Sequence, residues 1–287
     1  MPEPVNPAAT LRIVLPARQV ATALVLRADP VDGDPDQVIS ATAHRLHADA
    51  REALAIHAGD LRTIVMDDLT QAPVPPVELL AVFGADERSR SRVRAARSGI
   101  AVALVRPHEQ SLSAQIAVRA AASLLTRDGD VVIDTAIPRV WQVADPGTES
   151  PRTVDWLVLD RSLGENTGMG TRTHGLARFG LPELSAAGLD AGDLPAWDAT
   201  LNGLAHVLVR GLTVAESPEV GGARELRLPA TLTLSLADVA AAYAEPVDPE
   251  DPTLARTTQL QLVLEPDADD TGVLRVTGSP VTDLFGD

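Results

Sequence analysis

The 287-residue sequence contains no cysteine and no lysine, so all 24 of its basic residues are arginine. Without cysteine there are no disulfides, thiolate metal sites or thiol nucleophiles. Without lysine there is no Schiff-base amine and no P-loop lysine. Exclusive use of arginine matches the composition of a high-GC bacterial genome. Aromatic residues make up only 2% of the chain, so a core has to be built from Ala, Val, Leu and Ile. No apolar run approaches the roughly 20 residues of a membrane helix. The first ten residues carry no charged-then-apolar signal pattern, and the expected location is a bacterial cytoplasm. A formal charge of −16 works against a general nucleic-acid surface, because phosphate affinity requires a clustered positive field.

What is present is a chain that is 45% hydrophobic and long enough for two compact domains. Leu11–Leu15, Ala21–Leu26, Leu61–Met66, Val77–Phe83, Ile100–Val105 and Val131–Ile133 read as strands, with a further short one at Arg139–Val143. Helices are expected from Pro35 towards Gly59, over Asp86–Ser98, and where Leu112, Ile116, Ala120 and Leu124 recur at four-residue spacing. The turn-rich segment Ala144–Pro151 is the expected linker. Beyond it, Trp156–Leu159, Leu226–Leu236, Thr258–Leu264 and Val273–Thr277 read as antiparallel strands, with helices from Pro182 and from Pro195 to Arg210. Glu245–Pro252 reads as an acidic, proline-rich surface loop. The resulting fold class is α+β (or α/β). Residues 1–145 are expected to form a mixed sheet with covering helices, and 152–287 a smaller domain with an antiparallel sheet and two helices.

Several clusters carry candidate chemistry. His44 and His47 sit three residues apart on the expected helix. His57, at 100° per residue, points roughly 80° from His47 and 140° from His44, so the three do not converge on a metal. Arg88, Arg90, Arg92, Arg94 and Arg97 wrap around one helix, as expected of a solvated face that offsets carboxylates. Asp267–Gly272 starts like a calcium loop, but Gly278 stands where the bidentate glutamate is required. Gly168-Met169-Gly170 and Gly175 lack dinucleotide-fingerprint spacing. Neither a Gly-x-Ser-x-Gly elbow nor a His-Glu-x-x-His run occurs. No cofactor and no metal are expected.

The richest stretch is Thr171–Leu184. There His174 is the candidate base or ligand-binding group, Arg172 and Arg178 are anion-holding candidates, and Glu183 could orient the imidazole. The alternative reading is architectural: Gly175 and Gly180 as bends, Leu176, Phe179 and Leu184 as core, and Glu183 in a first helical turn. The run His174-Gly175-Leu176-Ala177-Arg178-Phe179-Gly180-Leu181-Pro182-Glu183-Leu184 resembles one in uncharacterised bacterial families of unknown function near polymorphic-toxin immunity families. Ala117–Trp141 is similar to a second piece of those proteins. The resemblance implies a cytoplasmic two-domain protein and carries over no catalytic residues. The leading expectation is therefore a non-catalytic protein-binding module, of immunity type, for a basic partner. The competing one is a small-molecule hydrolase centred on His174.

Overall fold

The computed structural model describes residues 10–70, 72–107, 110–141, 152–163, 168–211, 219–220, 223–246, 248, 250–266 and 272–286. The expected linker at 144–151, the first part of the 164–170 loop and most of the 267–272 turn lie outside these residues. In chain order the elements begin with β1 (Thr10–Leu15), β2 (Arg18–Arg27), α1 (Pro35–Thr42), α2 (Ala48–His57) and β3 (Arg62–Met66). They continue with α3 (Val77–Val82), α4 (Glu87–Ala95), β4 (Ser98–Pro107), α5 (Ser111–Leu125), β5 (Val131–Asp134) and β6 (Arg139–Trp141). The later part contains β7 (Val158–Leu163), β8 (Met169–His174), β9 (Glu183–Leu189), α6 (Leu194–Gly211), β10 (Glu219–Val220) and β11 (Ala223–Pro229). It closes with β12 (Thr231–Ser235), α7 (Leu236–Ala242), β13 (Thr257–Glu265) and β14 (Val273–Thr277). The class is α+β, with several sheets, one of them mixed.

Two compact units emerge, residues 18–151 and residues 152–287 joined by 1–17. The second is the larger, and it takes β1 away from the half in which the sequence reading placed it. The reason is pairing: β1 runs antiparallel to β11 from Thr10↔Pro229 to Leu15↔Arg224.

Within 18–151, one five-stranded sheet has the order β3-β4-β2-β5-β6. Every pair in it is antiparallel, so the expected mixed sheet is not in this unit. Strands β2 and β4 pair over ten positions, Arg18↔Pro107 to Arg27↔Ser98. Helices cover both faces. On one, Leu24, Leu26, Val131, Ile133 and Val140 cluster with Leu80 of α3 and Val93 of α4. On the other, α5 packs against β2 and β4 and is itself backed by α1 and α2. Double-sided cover explains why β2 is buried without alternation from Ala23 to Arg27.

Two local expectations in this unit are corrected. Val77–Phe83 is not a strand. Pro76 stands at the N-cap of a short helix in which Leu80 is fully buried while Leu79 and Val82 face solvent. Gly84, at φ +85°, ends it. The continuous helix expected from Pro35 is also broken. Asp34 caps α1 by accepting from the Asp36 N–H at 3.0 Å, but Leu46 turns extended at ψ 150°. His47 then caps α2, its Nδ1 accepting from the Asp49 N–H at 3.4 Å.

The other unit holds a six-stranded sheet in the order β12-β13-β14-β9-β8-β7 and a three-stranded one, β1-β11-β10. The larger sheet is the mixed one, because β14 and β9 run parallel. Helix α6 packs on β8, β9 and α7. It buries Trp197, Leu201, Leu204, Ala205 and Leu208. Helix α7, unseen in the sequence pattern, starts with a capping box in which Ser235 and Asp238 exchange backbone and side-chain bonds.

Candidate functional site

The stretch that concentrates polar residues, 171–184, is a corner between two neighbouring strands. Strand β8 ends at Gly175, whose φ of +124° favours glycine and whose position leaves no room for a Cβ beside the Trp156 carbonyl oxygen. A single 3₁₀ turn, Leu176–Phe179, follows. Gly180 closes it in the left-handed region at φ +71° while the Leu181 N–H donates to the Leu176 carbonyl at 3.2 Å. Leu176, Phe179, Leu181 and Leu184 are all buried within the corner.

No helix begins at Pro182, and Glu183 does not sit in a first helical turn. Residues 183–189 form β9, held by β8 on one side and β14 on the other. A central strand with partners on both edges and Leu184 and Ala186 buried outweighs the local preference of Pro182 for a helix start.

The four candidate residues are distributed between two places. Glu183 is buried. Its Oε1 accepts from the backbone N–H groups of Gly175 at 2.9 Å and Ala177 at 3.2 Å, and its Oε2 accepts from the Thr173 hydroxyl at 2.8 Å. The Thr173 oxygen in turn accepts from the Leu184 N–H at 2.8 Å. Arg178 is buried beside it, donating from Nε to the Gly175 carbonyl at 3.2 Å and lying 5.7 Å from the Trp156 ring centroid. These two side chains tie the corner to itself.

Arg172 and His174 alternate with Thr171 and Thr173 along β8 and so project from the opposite face. The His174 side chain is 34% exposed, and its acidic neighbour is Asp160 of β7, with Nε2 and Oδ2 3.8 Å apart. Arg172 stands opposite the same Asp160 in the β7–β8 register. The imidazole is therefore associated with Asp160, a residue that sequence spacing does not mark, instead of Glu183. On the other face of β8, Asp198 of α6 accepts from the Thr171 hydroxyl at 2.7 Å and from Arg161 Nε at 2.9 Å.

A second polar cluster was not visible in the sequence as a unit. His57, at the end of α2, is buried, and its Nε2 lies 2.8 Å from Ser113 Oγ. Arg106 donates from Nε to His57 Nδ1 at 3.1 Å and also pairs with Asp60. Because an arginine is never an acceptor, Nδ1 must be the lone-pair nitrogen, so the proton sits on Nε2 and points at Ser113. Ser113 passes its own hydrogen to the Gln110 carbonyl at 3.0 Å. This polarity is the reverse of a Ser-His-Asp relay, in which the imidazole accepts from serine. Burial, and next the Arg106 charge, hold His57 below the usual histidine range, with Asp60 opposing them. Hydrogen bonding from Arg106 holds the Asp60 carboxyl below its ordinary value.

The other histidines of that segment have separate tasks. His44 Nδ1 lies 3.1 Å from the Ala41 carbonyl, and His47 caps α2. Among the described residues no three His, Asp or Glu side chains gather as a metal site. On α4, Glu87 pairs with Arg90 at 2.7 Å and Arg94 at 2.9 Å, and these arginines pull its carboxyl below the ordinary range.

Among the described residues, the 18–151 unit contains cavities large enough for a small molecule. One of about 240 Å³ lies between α1 and α2, walled by Ile39, Leu54 and Leu61 with Asp36 and Arg51. Another, of about 210 Å³, is lined by Arg27, Arg45 and Arg127 together with Val38 and Leu124. A third, of about 290 Å³, lies beside Trp141 and Arg92. No helix among the described residues is long and apolar enough to cross a membrane. Comparison with protein-family models, curated proteins and solved structures finds no match to this chain.

Proposed function

We propose that this chain is a non-catalytic binding protein of the bacterial cytoplasm that recognises a basic protein partner, in the manner of an immunity protein. The observation that carries the reading is the use of Glu183. All three of its close contacts brace backbone or a neighbouring hydroxyl, which leaves the presumed orienter of a catalytic histidine occupied with architecture. The Arg106–His57–Ser113 cluster supports the same reading, since its hydrogen-bond polarity leaves the serine unactivated. Recognition of a basic partner is supported by the −16 charge and by acidic side chains that remain in solvent, among them Glu245, Asp248, Glu250 and Asp251 in one exposed segment. Such charge acts chiefly on association rate and specificity.

The test is isolation of the tagged chain from its own cells, followed by kinetics with whatever co-isolates in fixed stoichiometry. A partner of basic isoelectric point whose association rate falls steeply with salt is expected. Lack of a stoichiometric partner, or salt-independent association, overturns the reading. One observation favours the competing hydrolase: His174 is partly exposed next to Asp160. Turnover of an ester, amide or phosphoester panel that disappears in His174→Ala would establish that alternative instead.

A further inference from the structure

The arginine-lined cavity belongs to the 18–151 unit and shares no residue with the corner at 171–184. At its base is Arg27, on the α5-facing side of β2 and only 5% exposed. Its Nε donates to Asp130 Oδ2 at 3.0 Å, and its Nη2 to the Leu125 carbonyl at the end of α5. Among the described residues, its Nη1 has no hydrogen-bond partner. The Asp130 carboxylate and the Leu125 carbonyl together fix the plane of this guanidinium at the cavity wall.

Two more guanidiniums line the same space with donors to spare. Arg45 makes no ion pair among the described residues. Arg127 has only a 3.9 Å approach to Asp32, whose side chain is 84% exposed. The remaining wall is mostly aliphatic, with Val38 of α1, Ile100 of β4 and Leu124 of α5, and it also includes Thr126 and the acidic Asp32. The local charge is small. Arg27 is balanced by Asp130 and Arg127 is loosely balanced by Asp32, which leaves Arg45 as the surplus cation. That sum suits a single negative charge better than a dianion. The free donors of Arg45 and Arg127 reach solvent at the cavity mouth, where an anion's oxygens can accept charge-assisted hydrogen bonds from them.

From these features we infer that the cavity bounded by Arg27, Arg45 and Arg127 is a binding site for a small aliphatic monocarboxylate. The carboxylate would lie against the three guanidiniums and the hydrocarbon body against Val38, Ile100 and Leu124. A volume of about 210 Å³ corresponds to roughly seven waters at liquid density, enough for an acid with a short chain.

The probe is sodium hexanoate, titrated calorimetrically into the full chain, with hexanol, hexylamine and inorganic phosphate run in parallel. Saturable binding of one hexanoate per chain is expected, with little or no binding of the alcohol, the amine or phosphate. Arg45→Gln and Arg127→Gln alter exposed ends and leave the Arg27–Asp130 bridge intact. Each is expected to weaken hexanoate about tenfold, the equivalent of one charge-assisted bond, while the circular dichroism spectrum stays unchanged. Absence of hexanoate binding overturns the assignment. So does equal binding of hexanol, which would mark an apolar hole, or tighter binding of phosphate, which would mark a simple anion site. Hexanoate affinity unchanged in both variants would also overturn it, and the comparison of ligands on the wild-type chain decides the matter even if a variant fails to fold.

Discussion

Removing the Glu183 carboxylate tests whether the corner at 171–184 is architecture. The carboxylate satisfies the backbone N–H groups of Gly175 and Ala177 and the Thr173 hydroxyl, in a side chain only 8% exposed. Glu183→Ala strands two amide donors, each costing about 1–3 kcal/mol when buried without a partner. It also leaves a gap where the side chain packed. A destabilisation of about 3–5 kcal/mol follows. Glu183→Gln has the same shape and behaves differently. Its amide oxygen can keep the Gly175 and Ala177 bonds, while its NH₂ donates to Thr173 Oγ1. The Thr173 hydroxyl hydrogen can then turn towards the Leu184 carbonyl, 3.5 Å away. Only the charge assistance is lost, so about 1–2 kcal/mol is expected. Urea unfolding followed by tryptophan fluorescence measures both, because Trp156 and Trp197 report on this unit. If the alanine variant loses less than about 1 kcal/mol, or gains stability as residues kept for activity often do on replacement, the architectural reading of Glu183 fails. A glutamine variant as damaged as the alanine one would refute the bonding scheme instead.

Other expectations follow from the same geometry. Gly175→Ala places a Cβ on the Trp156 carbonyl at a backbone angle of +124°; a loss of at least about 3 kcal/mol, or no soluble protein, is expected, and a near-neutral urea midpoint would contradict it. Gly203→Ala in α6 brings a Cβ within 2.8 Å of Val239 Cγ2 and 3.0 Å of its Cα; a cost of about 1–3 kcal/mol is expected, and an unchanged urea midpoint would contradict the close approach of α6 and α7 at this position. Nitrogen NMR of the imidazoles should find His57 neutral with its proton on Nε2; a proton on Nδ1 would mean that Arg106 does not set the tautomer. His57 and His206 both have lowered values, chiefly through burial and next through Arg106 and Arg210 respectively. Above about pH 6.5 both are neutral in either state; below it the unfolded chain binds protons that the folded protein does not. Their contribution is therefore complete above that pH and declines as the pH falls towards the lower folded values. The urea midpoint should drop between about pH 7 and pH 5.5, and less so in a His57→Gln, His206→Gln variant; equal slopes would rule out this linkage. Losses from Asp60, Asp86 and Glu87, whose values are also lowered, belong to a more acidic window, below about pH 4.

The elements legible in the sequence were those whose period and boundary agreed. Strand β4, closed by Pro107, and helix α5, with its four-residue spacing, are examples, as is α6. The run Val77–Phe83 was ambiguous because seven mostly apolar residues between Pro76 and Gly84 fit either a buried strand or a short helix, and only tertiary packing of Leu80 decides it. Glu183 was misplaced for a related reason. Pro182 is a sound local helix signal, but pairing with β8 and β14, remote in sequence in the second case, overrides it. The β1–β11 ladder joins residues more than two hundred positions apart, and no local pattern encodes such a partner. Of the candidate site, the glycine bends were readable, whereas Asp160 opposite Arg172 depends on strand register alone.

The absence of lysine also acquires a structural sense. Arg27 bridges Asp130 and the Leu125 carbonyl, Arg106 bridges His57 and Asp60, and Arg178 joins the Gly175 carbonyl to the Trp156 ring. Arg27 and Arg106 use separate nitrogens of one planar fork to hold two groups at fixed positions, and Arg178 uses Nε together with the face of its guanidinium. A lysine ammonium, a single point on a flexible stem, cannot reproduce that geometry. In a chain with 2% aromatics, large rigid side chains are scarce, and guanidinium planes take over part of the work of fixing one segment against another. Two of the arginines around the 210 Å³ cavity, Arg45 and Arg127, depart from this pattern. Arg45 has no acidic partner among the described residues, and Arg127 has only a 3.9 Å approach to Asp32. That contrast, more than the count of positive charges, is why the cavity is the place where a carboxylate from outside the chain would complete what the fold elsewhere completes with its own.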